Sequence, residues 1–236
     1  MKTSTKNYSL EDRDDLSRFQ GVFICFTGID GSGKTTLSSS LLGLIRGKNV
    51  KCKYVWSRYE PILAKPLFSL ARMFLLRKKG TRGNYDVYRG ARRSLFENKP
   101  LSSLYMMFTV PDYILQNLVK VRVALWRGDC VLADRYVYDF VVDLAIDLER
   151  GSEYVTRRTD FFFRFLPRPA ITFLMDVPEE VAMKRKLDVP DVEYLARRRS
   201  LYASLASRKD VVTVDGRKPQ SELKQIVLAE VREAAS

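Results

Sequence analysis

Five short runs of apolar and β-branched residues recur along the chain, at 22–27, 51–57, 130–133, 170–175 and 211–214, and segments with helical spacing of apolar positions separate them. A largely apolar run without strict alternation marks a strand covered on both faces, so this pattern predicts a parallel sheet between helices. Right-handed crossovers then give a three-layer α/β/α fold with a five-stranded parallel sheet and helices on both faces. Ligands of such sheets bind at the carboxyl ends of the strands, which makes the residues directly after each run the first to inspect.

The helical segments carry their own signals. The stretch 101–126 contains Pro111, which predicts a kink or a division into two helices, with Asp112 capping the second and Gln116 one turn later on the same face. Residues 221–234 read as a closing amphipathic helix. Residues 1–20 are polar, acidic around Glu11, Asp12, Asp14 and Asp15, and without the apolar centre of a secretory signal; they predict a flexible arm or a short surface helix. The remaining 21–236 fits a single domain, with an insertion at about 58–100. The longest apolar stretch, 62–76, is interrupted by Lys65, Pro66 and Arg72, too short and too charged to span a bilayer, and the expectation is a soluble cytoplasmic protein.

The first apolar run leads into Gly28-Ile29-Asp30-Gly31-Ser32-Gly33-Lys34-Thr35, the spacing G-x-x-x-x-G-K-T. Glycines at these places let backbone N–H groups curl around phosphate oxygens, Lys34 brings a cation to β- and γ-phosphates, and the Thr35 hydroxyl can ligate Mg²⁺. The helix starting near Lys34 and Thr36 adds the positive end of its dipole. Gly28, Gly31, Ser32, Gly33, Lys34, Thr35 and Thr36 are therefore the candidate ATP site. The third run leads into Asp134-Arg135-Tyr136, where the carboxylate can hold Mg²⁺ or its water shell and the arginine can neutralise a transferred phosphoryl group. Arg58 follows the second run, placed either for a phosphate or substrate contact or for a solvated ion pair with Glu60. After the fourth run, Pro178, Glu179 and Glu180 open a helix. The basic clusters Lys184-Arg185-Lys186 and Arg197-Arg198-Arg199, joined across Pro190, predict a helical lid over 184–199.

Composition narrows the chemistry. The chain has no histidine, which excludes imidazole acid–base catalysis, Ser-His-Asp triads and histidine-ligated zinc. Its 41 Lys and Arg against 28 Asp and Glu give a formal charge of +13, which calls for a polyanionic ligand, a nucleic acid or an acidic surface. Much of the excess lies at 58–93, which reads either as a solvated loop or as a contact for a polyanion or an acidic membrane. Cys25, Cys52 and Cys130 each lie in or beside a predicted strand and read as small buried hydrophobes in a reducing compartment.

With these pieces placed, the chain from about residue 21 onward resembles the thymidylate kinase group of P-loop nucleoside monophosphate kinases. The likeness rests on the 26–36 stretch, on Arg127-Gly128-Asp129 leading to Asp134-Arg135-Tyr136, on Asp176-Val177-Pro178-Glu179, and on the spacing of Arg197, Arg199 and Tyr202. It implies transfer of the ATP γ-phosphoryl group to a nucleoside 5′-monophosphate, foremost dTMP, with Mg²⁺ and usually in a homodimer. It also implies that Asp30 faces the acceptor, Arg58 and Arg135 its phosphate and Gln116 its base, that Tyr136 is a further acceptor contact, and that Arg185 is the lid arginine that joins Lys34 and Arg135 in catalysis. Position 31 is Gly, where one branch of the family carries a catalytic arginine. The acceptor side departs from the family: Arg58-Tyr59-Glu60-Pro61 lacks two following glycines, Tyr113 stands in place of an arginine, and Val137-Tyr138-Asp139-Phe140 lacks the usual tyrosine–glutamine pair. Two other functions fit the same residues: a kinase of this fold acting on a nucleoside, another monophosphate or a sugar phosphate, and a nucleotide-dependent polyanion-binding module.

Overall fold

A computed structural model describes residues 19–62, 99–186 and 191–234. The basic residues from Lys65 to Arg93, residues 1–18 of the predicted arm and the lid residues 187–190 lie outside the described part.

Five strands, β1 (Phe23–Gly28), β2 (Cys52–Trp56), β3 (Cys130–Asp134), β4 (Ile171–Asp176) and β5 (Val211–Asp215), form one sheet in the order β2-β3-β1-β4-β5. Every pairing is parallel. The expected runs are all strands, and the ladder carries β3, β4 and β5 onto Asp134, Asp176 and Asp215, which therefore sit at carboxyl ends rather than beyond them. The helices are α1 (Lys34–Arg46), α2 (Lys99–Asn117), α3 (Val123–Trp126), α4 (Val137–Asp147), α5 (Ser152–Phe162), α6 (Glu179–Arg185), α7 (Val192–Ala203) and α8 (Gln220–Ala234).

Alternation along the central strands divides the core into two layers. Ile24 and Phe26 of β1, with Leu132, Phe173 and Met175, face Leu37, Leu41 and Ile45 of α1 and Val227 and Val231 of α8. Phe23 and Cys25, with Val131, Ala133 and Leu174, face Tyr113 and Val121 of the α2 region, Val141 and Val142 of α4, Phe162 of α5 and Leu201 of α7. Phe19, in the stretch read as an arm, is 1% exposed and belongs to the α1–α8 layer. The three cysteines are free and buried, and Cys52 and Cys130, paired across β2 and β3, have their Sγ atoms 3.3 Å apart.

The predicted division at Pro111 does not occur. Helix α2 runs from Lys99 through Pro111 to Asn117, and the irregularity comes later, as a π-helical segment at Leu118–Arg122. Pro111 is on the exposed side, whereas Thr109, Asp112, Tyr113 and Asn117 around it are buried. Packing of that face holds the helix across one missing N–H. Asp112 is accordingly no cap; its carboxylate accepts from Ile62 N at 2.9 Å, Tyr59 OH at 3.3 Å and Gln116 Nε2 at 3.0 Å.

Gly28, the last residue of β1, has φ of 132°, and a Cβ there would lie 2.5 Å from the Met175 carbonyl oxygen. Gly43, exposed on α1, would meet nothing. Gly28→Ala should therefore lower the free energy of unfolding by about 3 kcal/mol through overpacking and backbone strain. Gly43→Ala should raise it by about 0.5–1 kcal/mol through helix propensity. Urea unfolding midpoints of the two variants, moving in opposite directions, check both.

Candidate active site

The carboxyl ends of β1 and β3 bring the first group of predicted residues together. After β1 the chain turns at Gly31, with φ of 81°, and enters α1 from Gly33, with φ of 93°, a left-handed N-cap that favours glycine. A Cβ on Gly31 would run into the backbone carbonyl of Ala182, so the 28–35 loop lies directly against α6. Position 31 has room for no side chain, arginine included. Lys34 is 4% exposed, and its ammonium donates to Gly28 O at 2.8 Å, Ile29 O at 2.6 Å and Ser32 Oγ at 3.2 Å. Burial, and then the nearby Arg135 guanidinium, pull its pKa down to about 7.

Beside the lysine, Thr35 Oγ1 donates to Asp134 Oδ2 at 2.6 Å, and Tyr54 OH donates to the same oxygen at 3.0 Å. Asp134 is 1% exposed, and its Oδ1 is buried without a hydrogen-bond partner among the described residues. A carboxylate oxygen left open next to a hydroxyl at a strand end is a fitting donor set for a hard cation. Thr36 is exposed in the first turn of α1.

Arg135 follows with φ of 75° and donates from its backbone N to Phe26 O at 2.9 Å. Its guanidinium is bound by Asp30 on one side and by Asp139 on the other, at 2.9 Å. Burial alone would lower the Arg135 pKa, but Asp139, Tyr202 and Asp30 push it above its ordinary value. The Asp30 carboxyl is in the converse position: burial would raise its pKa, and Arg135, Lys34, Arg198 and Lys186 hold it far below the ordinary range. Lys186 Nζ stands 3.5 Å from Asp30 Oδ1.

The cations of α6 and α7 divide into committed and reachable groups. Arg199 bonds Asp176 at 2.6 and 2.9 Å and Glu179 at 3.1 Å. Arg198, 2% exposed, pairs with Asp143 at 2.5 Å. Arg185, the last residue of α6, donates to Gly216 O at 2.9 Å, and Gly216 packs against the carbonyl of Ser32, so Arg185 lies at the rim of the loop.

On the other flank the expectations fare unevenly. Arg58 is half-exposed after β2 and, behind the nearer Arg198, helps lower the Asp143 pKa against the effect of burial. Gln116 donates to Glu60 O at 2.9 Å and to Asp112, so its amide is already engaged. Tyr136 does not face the cleft: it is 0% exposed, packs edge-on against Phe23 and donates to Pro167 O at 3.2 Å. Tyr113 is 1% exposed and stacks on Phe140 with ring centroids 3.9 Å apart. The sequence assigned no role to Asp139 or Tyr54. Asp139 left a signal, since it stands four residues after Arg135, the spacing at which side chains meet across a helical turn; Tyr54 left none.

No protein-family model matches the chain. It is, however, similar over most of its length to several thymidylate kinases. That of Ligilactobacillus salivarius is 29% identical over 211 residues, covering 83% of this chain and 89% of the relative. That of Blochmanniella floridana is 25% identical, covering 85% and 90%. The probable thymidylate kinase of Methanothermobacter thermautotrophicus is 28% identical, covering 82% and 86%. No helix among the described residues is long and apolar enough to cross a membrane. A five-stranded parallel sheet, a glycine-lysine-threonine loop at its central strand and similarity of this extent make the chain like thymidylate kinases in fold, loop and sequence.

Proposed function

We propose that this protein transfers the γ-phosphoryl group of ATP, with Mg²⁺, to a nucleoside 5′-monophosphate, and that the acceptor is dTMP, as the names of its relatives suggest. The observation that carries the reading is the convergence of buried Lys34 and Asp134 with Thr35 at the ends of β1 and β3. The kinase domain is taken as 21–236, with an insertion at 58–100 and a lid at 184–199.

In this reading the backbone N–H groups from Gly28 to Thr36 and the start of α1 hold the donor phosphates. Lys34 exchanges its carbonyl partners for phosphate oxygens. Thr35 Oγ1 and Asp134 would hold Mg²⁺, whose charge would offset the negative charge of the donor phosphates. Arg135 and Arg185 spread positive charge over the group in transit, Arg185 by leaving Gly216 O. Arg58 and Arg135 take the acceptor phosphate and Asp30 orients it. The acceptor oxygen is already anionic, so no protein base is needed, in keeping with a chain that has no histidine. A different small acceptor is favoured by one observation: the acceptor flank has a sealed aromatic stack at Tyr113 and Phe140 and a Gln116 that is already bonded.

With labelled ATP and a panel of dTMP, dUMP, other monophosphates, nucleosides and sugar phosphates, dTMP should give the highest kcat/KM; turnover of another acceptor with dTMP silent removes the thymidylate assignment. In the same assay Lys34→Ala should abolish transfer with the fold retained, and Arg185→Ala should lower kcat by about 10²-fold or more.

The lowered pKa of Lys34 sets a pH dependence. Its charged form, the one phosphates favour, is populated below about 7 in the free protein. At pH 8 roughly nine-tenths of it is neutral, by the usual logarithmic relation. Nucleotide binding at pH 8 should take up close to one proton, falling towards none at pH 6, as titration calorimetry in buffers of different ionisation enthalpy would measure. The affinity should weaken as pH rises above 7.

Pairing of two chains is part of the proposal, along the apolar row Leu104, Met107, Leu115, Val119 and Trp126, which are 43% exposed or more. Light scattering should return twice the chain mass, and Val119→Glu should halve it.

A further inference from the structure

The backbone of Arg135 is left-handed, φ 75°, a conformation that non-glycine residues adopt only when their surroundings hold them there. The aim of its side chain is therefore set by its partners, and the two carboxylates on it are not equivalent. Asp30 belongs to the glycine-rich loop and also reaches Lys186, at 3.5 Å. Asp139 is fixed by four donors from separate parts of the fold. Its Oδ1 accepts from Arg135 Nη1 at 2.9 Å and from Tyr202 OH of α7 at 2.8 Å. Its Oδ2 accepts from Thr27 Oγ1 of β1 at 2.9 Å and from Tyr136 N at 3.2 Å. Asp139 is 1% exposed, and with both oxygens doubly bonded it cannot follow a substrate.

We propose that Asp139 is a positioning residue for phosphoryl transfer: it holds the Arg135 guanidinium at the ends of β1 and β3 from behind, so that only the Asp30 side is open to exchange with a phosphate. Tyr202 makes α7, most of which lies within the proposed lid, part of the same setting. This rests on the role given to Arg135 under the proposed function. The competing explanation is local: Asp139 also accepts from the backbone N of Tyr136 at the start of α4, a helix-end contribution of about 1 kcal/mol to stability that has no connection with Arg135.

The two are separated by a double-mutant cycle on the full chain, with single-turnover transfer from labelled ATP to dTMP. Asp139→Asn keeps the shape and removes the charge. It should lower the transfer rate by about 10²-fold, the effect of a misaimed group, while the Kd of Mg-ATP changes by less than about 3-fold. In an Arg135→Ala background the same change should cost less than about 3-fold, because there is no guanidinium left to aim. Equal losses in both backgrounds, or an unchanged rate in Asp139→Asn, would overturn the proposal and leave Asp139 a helix cap. Transfer by Arg135→Ala at the unaltered rate would instead sink the role of Arg135, and this proposal with it. Should Asp139→Asn not fold, Tyr202→Phe removes one of the four donors and should lower the rate about 5-fold, again only where Arg135 is present.

Discussion

Burying the Arg135 guanidinium, 7% exposed, obliges the fold to bring carboxylates to it, and they come from opposite directions: Asp30 from the loop after β1 and Asp139 from the first turn of α4. A buried ion survives only with partners whose own hydrogen bonds are complete. That requirement draws in Thr27 from the central strand, Tyr202 from α7 and the backbone N of Tyr136. The order β2-β3-β1-β4-β5 makes this possible, because it sets the ends of β1 and β3 side by side and lets α4 and α7 pack over the same face. The charge cluster and the sheet topology are thus one constraint seen at two scales.

The donor side is built on a different principle, closeness of backbone. Gly28 lies against the Met175 carbonyl, Gly31 against that of Ala182 and Gly216 against that of Ser32. Three successive contacts without Cβ atoms pull β4, α6 and the β5 end around the loop, and they place Arg185 at its rim. Lys34 occupies the space so enclosed, bonded to the loop's own carbonyls.

Much of this was legible in the residues. Continuous apolar runs marked all five strands because both faces of the sheet are covered, and the strand-end rule pointed to Asp134 and Arg135 through their place after the third run. The loop was legible because its glycines, lysine and threonine are contiguous. What could not be read depended on distant packing. Pro111 looked like a break, yet the buried Thr109, Asp112, Tyr113 and Asn117 carry the helix across it. Tyr136 was implied as an acceptor contact by resemblance alone, but the left-handed turn at Arg135 sends the next side chain into the core. Asp139 drew attention only as a departure from a familiar pattern, because its partners Thr27 and Tyr202 lie 112 and 63 residues away in sequence.

The contact between Gly31 and Ala182 also bears on how such proteins can change over time. If Arg185 supplies the catalytic charge as proposed, a kinase of this build could not move that charge to position 31 by one substitution, because the incoming side chain would first have to displace α6, the very helix that carries Arg185. The two placements of the charge are mutually exclusive at the level of the backbone. A lineage could cross between them only through an intermediate in which α6 had already withdrawn, and that intermediate would hold Arg185 away from the loop before any replacement had arrived.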